Sequence, residues 1–108
     1  MNNVIIGKGK LAGKGVYAAK KFEKGEVVIK YNLKLLSQEE YKMLPRSEKM
    51  FTHSQHGTIY LYSEPERYVN HSKNPNTYQD HTMQADIALK DIEIGEMITT
   101  DATKDDID

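Results

Sequence analysis

The chain has 108 residues, no cysteine, and 15 Lys and Arg side chains against 16 Asp and Glu. This length sets one domain with a thin core, and the missing cysteines exclude disulfides, thiolate chemistry and cysteine-based zinc sites. A near-neutral charge argues against strong nucleic-acid binding, and no apolar run reaches the roughly 18 residues of a membrane span.

The balance hides a split. Residues 1–50 carry 11 basic and 5 acidic side chains, whereas residues 51–108 carry 4 and 11, so the halves are expected to attract each other. The Met1–Ile6 start is too short and too soon followed by lysines to read as a signal peptide. Together with the absent cysteines this sets a cytoplasmic location as the expectation, or a host-cell nucleus for a viral protein.

Taken in chain order, Val4–Ile6 and Val16–Ala19 read as short strands separated by Gly7, Gly9, Gly13 and Gly15. A turn follows at Phe22–Glu26, then a strand at Val27–Tyr31. Ser37 with Glu40 three residues on is a capping-box pattern that predicts a helix over 37–44. Leu36, Tyr41, Met43 and Leu44 offer it a partial apolar face. Pro45 interrupts the helix and 47–51 resume it. Thr58–Tyr62 is a further strand, and 64–77 are rich in turn residues. Ala85–Leu89 and Met97–Thr100 are short strands around a turn at Ile94–Glu96. Many short strands with one helical segment predict a mainly β, α+β domain.

Local chemistry is less decisive. The glycine cluster lacks the G-x-x-x-x-G-K-[ST] spacing and no helix follows it, so it reads as a hairpin or as a place where a ligand approaches the backbone. His53, His56, His71 and His81 have no metal-ligand spacing, and no metal site is expected. There is no nucleophile elbow. Seven tyrosines are notable: Tyr17, Tyr31, Tyr41, Tyr60, Tyr62, Tyr68 and Tyr78. The run Arg67–Asn76 holds more hydrogen-bonding side chains than a plain turn needs.

Three segments resemble, in order and spacing, the SET-domain protein-lysine methyltransferases. Gly13-Lys14-Gly15-Val16-Tyr17-Ala18, with Phe22-Glu23-Lys24-Gly25-Glu26, resembles the family's opening motif. Arg67-Tyr68-Val69-Asn70-His71-Ser72 with Pro75-Asn76 resembles its R-[FY]-[IV]-N-H-S-x-x-P-N signature. Ala88-Leu89-Lys90-Asp91-Ile92, with Gly95-Glu96-Met97-Ile98-Thr99, is similar to its closing motif. The resemblance covers residues 13–101. It implies a SET-type fold of small curved β-sheets with a knot-like crossing, in which the Asn-His segment runs beside the last segment. A variable insert at about 32–62 would shape the substrate groove.

The implied activity is methyl transfer from S-adenosylmethionine to a lysine-containing protein. By resemblance, the backbone of Lys14, Gly15, Val16 and Tyr17 holds the methionine portion of the cofactor. Arg67 takes its carboxylate, Asn70 its amino-acid end, and the His71 backbone its adenine. Tyr17, Tyr62 and Tyr68 are the catalytic candidates, with Tyr31 and Tyr60 as substitutes. Two departures stand out: Lys73 replaces the zinc-binding Cys of many relatives, and Ala102 replaces a tyrosine that lines the transfer channel. They leave a second reading, a non-catalytic SET-like module that binds cofactor, lysine peptide or partner. A homodimer is also an expectation, because a second copy would cover a site with a short C-terminal wall.

Overall fold

Ten strands make three small sheets. The computed structural model describes residues 3–55 and 57–101, and the order begins with β1 (Val4–Leu11), β2 (Lys14–Ala18), β3 (Val27–Lys30) and β4 (Lys34–Leu36). Two short helices, α1 (Gln38–Met43) and α2 (Arg46–Lys49), precede β5 (Thr52–Gln55) and β6 (Thr58–Leu61). A 3-10 turn at Glu66–Tyr68 leads into β7 (Asn70–His71). The chain closes with β8 (Thr77–Asp80), β9 (Ala85–Ala88) and β10 (Met97–Thr100). The sheets have the orders β1-β2-β10-β7, β3-β9-β8 and β4-β6-β5.

The expected strands are present, and β1 runs five residues further than its apolar start suggests. β1 is an edge strand, paired with β2, and half-buried residues alternate with exposed ones from Gly7 to Leu11. The insert holds the third sheet, β4-β6-β5, and both helices. The capping box forms as read: Ser37 Oγ accepts from Glu40 N–H at 3.1 Å, and the Glu40 carboxylate accepts from Ser37 N–H at 3.0 Å. The apolar face does not form. No residue of α1 is buried, and Met43 is 84% exposed. This helix is held by its cap and not by packing.

Two copies of one turn pack against each other near the chain ends. Ala18–Glu26 and Ala88–Glu96 share the pattern A-x-K-x-[FI]-E-x-G-E. Each Glu at the end accepts from the backbone N–H of the Glu three residues earlier, at 2.7 Å (Glu26 from Glu23) and 2.8 Å (Glu96 from Glu93). The copies exchange equivalent bonds. Phe22 N–H donates to Ile92 O and Ile92 N–H to Phe22 O, while Gly25 N–H donates to Ala88 O and Gly95 N–H to Ala18 O. Gly25 and Gly95 take φ of 92° and 89°, where a Cβ would be strained. Phe22 and Ile92 have no exposed surface and lie in the core cluster.

The core also takes Val16, Ala18, Ile29, Tyr31, Phe51, Tyr62, Tyr68 and Ile98. The charge split contributes little to joining the halves at this turn pair. Lys21 meets Glu93 at 3.7 Å with both side chains more than half exposed, a kind of pair worth about 0–1 kcal/mol.

Candidate functional site

The Asn-His segment is the pivot. β7 lies parallel to β10, with Asn70 opposite Thr99 and His71 opposite Thr100. Asn70 is buried and spends its side chain on the protein itself. Its amide donates to Lys14 O at 3.0 Å and Tyr68 O at 2.8 Å, and its Oδ1 accepts from Lys10 N–H at 2.8 Å. The glycine hairpin is thereby fastened to the Asn-His segment. Gly15 permits this closeness, because a Cβ there would lie 3.0 Å from Lys8 O, 3.1 Å from Met97 Cε and 3.3 Å from Asn70 Nδ2. Asn76 ties in the closing segment. Its amide donates to Met97 O and its Oδ1 accepts from Thr99 N–H, each at 2.8 Å.

A cavity of about 130 Å³ lies beside the Asn-His segment. Leu11 reaches it from the hairpin, Arg67 and Val69 from the Asn-His segment, and Thr100 from β10. The far wall is aromatic and polar: Tyr31, Phe51, Tyr62, Gln79 and Asp86. Tyr31 and Tyr62 meet edge to face at 5.5 Å, and Tyr62 stacks on His53 at 4.7 Å. Gln79 donates to the Tyr62 hydroxyl at 3.3 Å, and the Tyr31 hydroxyl donates to Asp86. Thr100 Oγ1 is buried with no hydrogen-bond partner among the described residues. It faces both this cavity and a shallower recess bounded by Lys73, Tyr78 and Asp101.

The expected site residues fall into two groups. Arg67 and Tyr62 line the cavity, whereas Lys14, Gly15, Val16, Asn70 and His71 do not. Tyr17 lies elsewhere, its hydroxyl donating to Lys8 O at 2.6 Å, and Tyr68 packs edge-on against Phe51 with Lys14 Nζ 5.0 Å over its ring. Val16 and Tyr17 sit between β1 and β10, paired on the latter side with Ile98 and Met97. His71 is exposed, with Nδ1 3.7 Å from the Asp101 carboxylate. Ala102 and His56 lie outside the described residues. Sequence reading named Tyr31 only as a substitute and missed Asp86, Gln79, Glu48 and Thr100. A signal existed for Asp86, the one charge in the otherwise apolar run Ala85–Ala88.

Arg67 has a partner from the insert. Its guanidinium meets the Glu48 carboxylate in a two-pronged contact at 3.0 and 3.1 Å, donates to Tyr62 O, and stacks on Phe51 at 4.5 Å. Burial opposes the charge on Arg67, but the bonds and charge of Glu48 outweigh it and hold the pKa above its ordinary value. In this arrangement Arg67 pins α2 to the cavity wall.

Glu66 is the buried carboxylate at the other end. It accepts from Asn32 N–H at 2.7 Å and from Ser63 N–H at 3.3 Å, through the same oxygen. Burial raises its pKa above 4.5 despite these bonds. Its contribution therefore favours the fold below the ordinary carboxylate range and is lost as pH rises through the raised value. Glu66→Gln keeps the acceptor oxygen without the charge. The variant is expected to gain stability on the wild type between about pH 4 and about pH 7, read from urea midpoints. An unchanged difference across that range would show that the charge costs nothing there.

Taken together these features define a class: a small β domain whose Asn-His strand lies parallel to the last strand over an enclosed aromatic cavity, the SET fold. The chain belongs to the SET-domain family, whose SET domain matches residues 13–101. It is 33% identical over 88 residues to the human histone-lysine N-methyltransferase 2D, covering 69% of this chain. The mouse enzyme of that name matches to the same degree. The chain spans about 2% of the length of these curated relatives. Among solved structures, the Chaetomium thermophilum polycomb repressive complex 2 matches with a TM-score of 0.73 and 26% identity. That match covers 93% of this chain and 15% of the other. The same complex bound to S-adenosylmethionine gives 0.75 and 25%, covering 96% and 15%.

Proposed function

We propose that the chain transfers a methyl group from S-adenosylmethionine to the ε-amine of a protein lysine. One observation carries the reading: the Asn-His motif places Arg67 and Val69 on an aromatic-lined cavity, which Thr100, the residue after the closing motif, also bounds. The residues also suit this cofactor's charges. Both N–H bonds of the Asn70 amide are spent on Lys14 and Tyr68, so what Asn70 offers is acceptor capacity at Oδ1, fitting an ammonium and not a carboxylate. Thr100 Oγ1 is a buried polar atom on the cavity with no hydrogen-bond partner among the described residues.

When bound, the cofactor supplies an electrophilic methyl on a positively charged sulfur. The lysine nitrogen must arrive neutral, although its ordinary pKa is about 10.4. The aromatic wall of Tyr31, Tyr62 and Phe51 disfavours the charged form by excluding water, whereas the Glu66 and Asp86 carboxylates on the same cavity favour it. The same rings attract an alkylammonium on its way in. The nitrogen lone pair would form the N–C bond while the S–C pair left on sulfur, and the resulting ammonium would lose its proton to water. Confinement between Val69, Thr100 and the tyrosines supplies the alignment such a displacement needs.

Core histones with radiolabelled cofactor test the reading, since the human relative is a histone-lysine methyltransferase. Methyllysine in the hydrolysed histones is expected. Cofactor binding by calorimetry without any methyllysine would replace the proposal with a non-catalytic binding module. No binding of cofactor, lysine peptide or partner would remove both.

A further inference from the structure

Asp86 is the feature that methyl transfer alone does not explain. It lies on β9, the central strand of its sheet, opposite Ile29 on one side and Gln79 on the other. Every residue of β9 is buried, and Asp86 is 1% exposed. Ala85, Ile87 and Ala88 show what the packing wants there. A buried carboxylate in such a strand costs several kcal/mol that an apolar side chain of similar shape would not. Its position is not incidental, because it faces the cavity and receives the hydroxyl proton of Tyr31.

That direction of donation matters for a nucleophile. A neutral lysine amine has two N–H donors and one lone pair, and only the lone pair attacks. A tyrosine hydroxyl beside it can point its proton into that lone pair and block it. With its proton held by Asp86, the Tyr31 oxygen can only accept from an entering amine. It then takes an N–H and leaves the lone pair turned elsewhere. Resting on the methyl-transfer reading, we propose that Asp86 is a positioning residue that orients the substrate lysine amine through Tyr31. Tyr62 has other partners: its hydroxyl receives the Gln79 amide at 3.3 Å and lies 3.5 Å from His53 Nδ1.

Three variants test this: Asp86→Leu, which cannot accept; Asp86→Asn, which still can; and Tyr31→Phe. Asp86→Leu removes a buried charge, so it is expected to fold. A tyrosine hydroxyl proton held by a carboxylate exchanges slowly enough to be sought by proton NMR. The signal is expected in the wild type and in neither Asp86→Leu nor Tyr31→Phe. Binding of n-butylammonium, the bare lysine side chain, is read by NMR shifts at the cavity. It should weaken about tenfold in Asp86→Leu and less in Asp86→Asn. On core histones, kcat should fall about tenfold to a hundredfold in Asp86→Leu, the scale of a misplaced reactant, with cofactor affinity unchanged. Combining Asp86→Leu with Tyr31→Phe should cost no more than the worse single change, because one acts through the other. Multiplying effects, or a hydroxyl signal that survives Asp86→Leu, would overturn the proposal. A wild type that binds n-butylammonium through Asp86 but methylates nothing would sink the methyl-transfer reading and, with it, the role in catalysis, while keeping the dyad as a cation site.

Discussion

Phe22→Ala is expected to destabilise the fold by about 3–5 kcal/mol, the usual cost of deleting a buried phenyl ring. Phe22 has no exposed surface, and its ring belongs to the main core cluster. Its backbone exchanges two hydrogen bonds with Ile92 across the paired turns, so the space left behind cannot close without moving both. A chain of this size has about 5–15 kcal/mol in total, and the change would remove a large share of it. Ile94 gives the control. It stands in the second turn where Lys24 stands in the first, but it is 69% exposed. Ile94→Ala should stay within about 0.5 kcal/mol. Urea denaturation of both variants decides the matter: similar midpoints would mean that the turn pair is not part of the cooperative core.

How much of this was legible depended on whether the determinant was local. The capping box at Ser37 and Glu40 needs four residues, and it formed as written. The turns at Gly25 and Gly95 need one residue each that tolerates positive φ, and both are present. By contrast, β4 is a three-residue strand, and the polar runs Thr52–Gln55 and Thr77–Asp80 have no apolar alternation to announce them. They are strands because β6 and β9 offer them hydrogen-bonding edges. The parallel pairing of β7 with β10 joins residues about 30 apart through a two-residue strand, and only the family resemblance pointed to it. Cofactor-site residues were legible as motif positions, but their bonds were not: nothing in the sequence tells that Arg67 meets Glu48 or that both Asn70 donors turn inward.

Asn70 carries the other large effect. Asn70→Ala should cost about 1–3 kcal/mol, because it strands the buried Tyr68 O and breaks the part-buried bonds to Lys10 N–H and Lys14 O, and an abandoned buried partner costs about that much. Asn70→Asp separates this account from simple loss of volume. The aspartate fills the same space and can still accept from Lys10 N–H. Where the amide donated, however, it sets an oxygen against Lys14 O and Tyr68 O, at the 3.0 and 2.8 Å the native bonds span. Two acceptors at that range repel, so Asn70→Asp is expected to be at least as unstable as Asn70→Ala despite its near-identical shape. Calorimetric titration of the folded fraction with S-adenosylmethionine should also show weakened binding in both, since the hairpin is no longer tied to the Asn-His segment. A stable Asn70→Asp variant would mean that the side chain fills space and does not clamp, and the inward-turned amide would lose its place in the site.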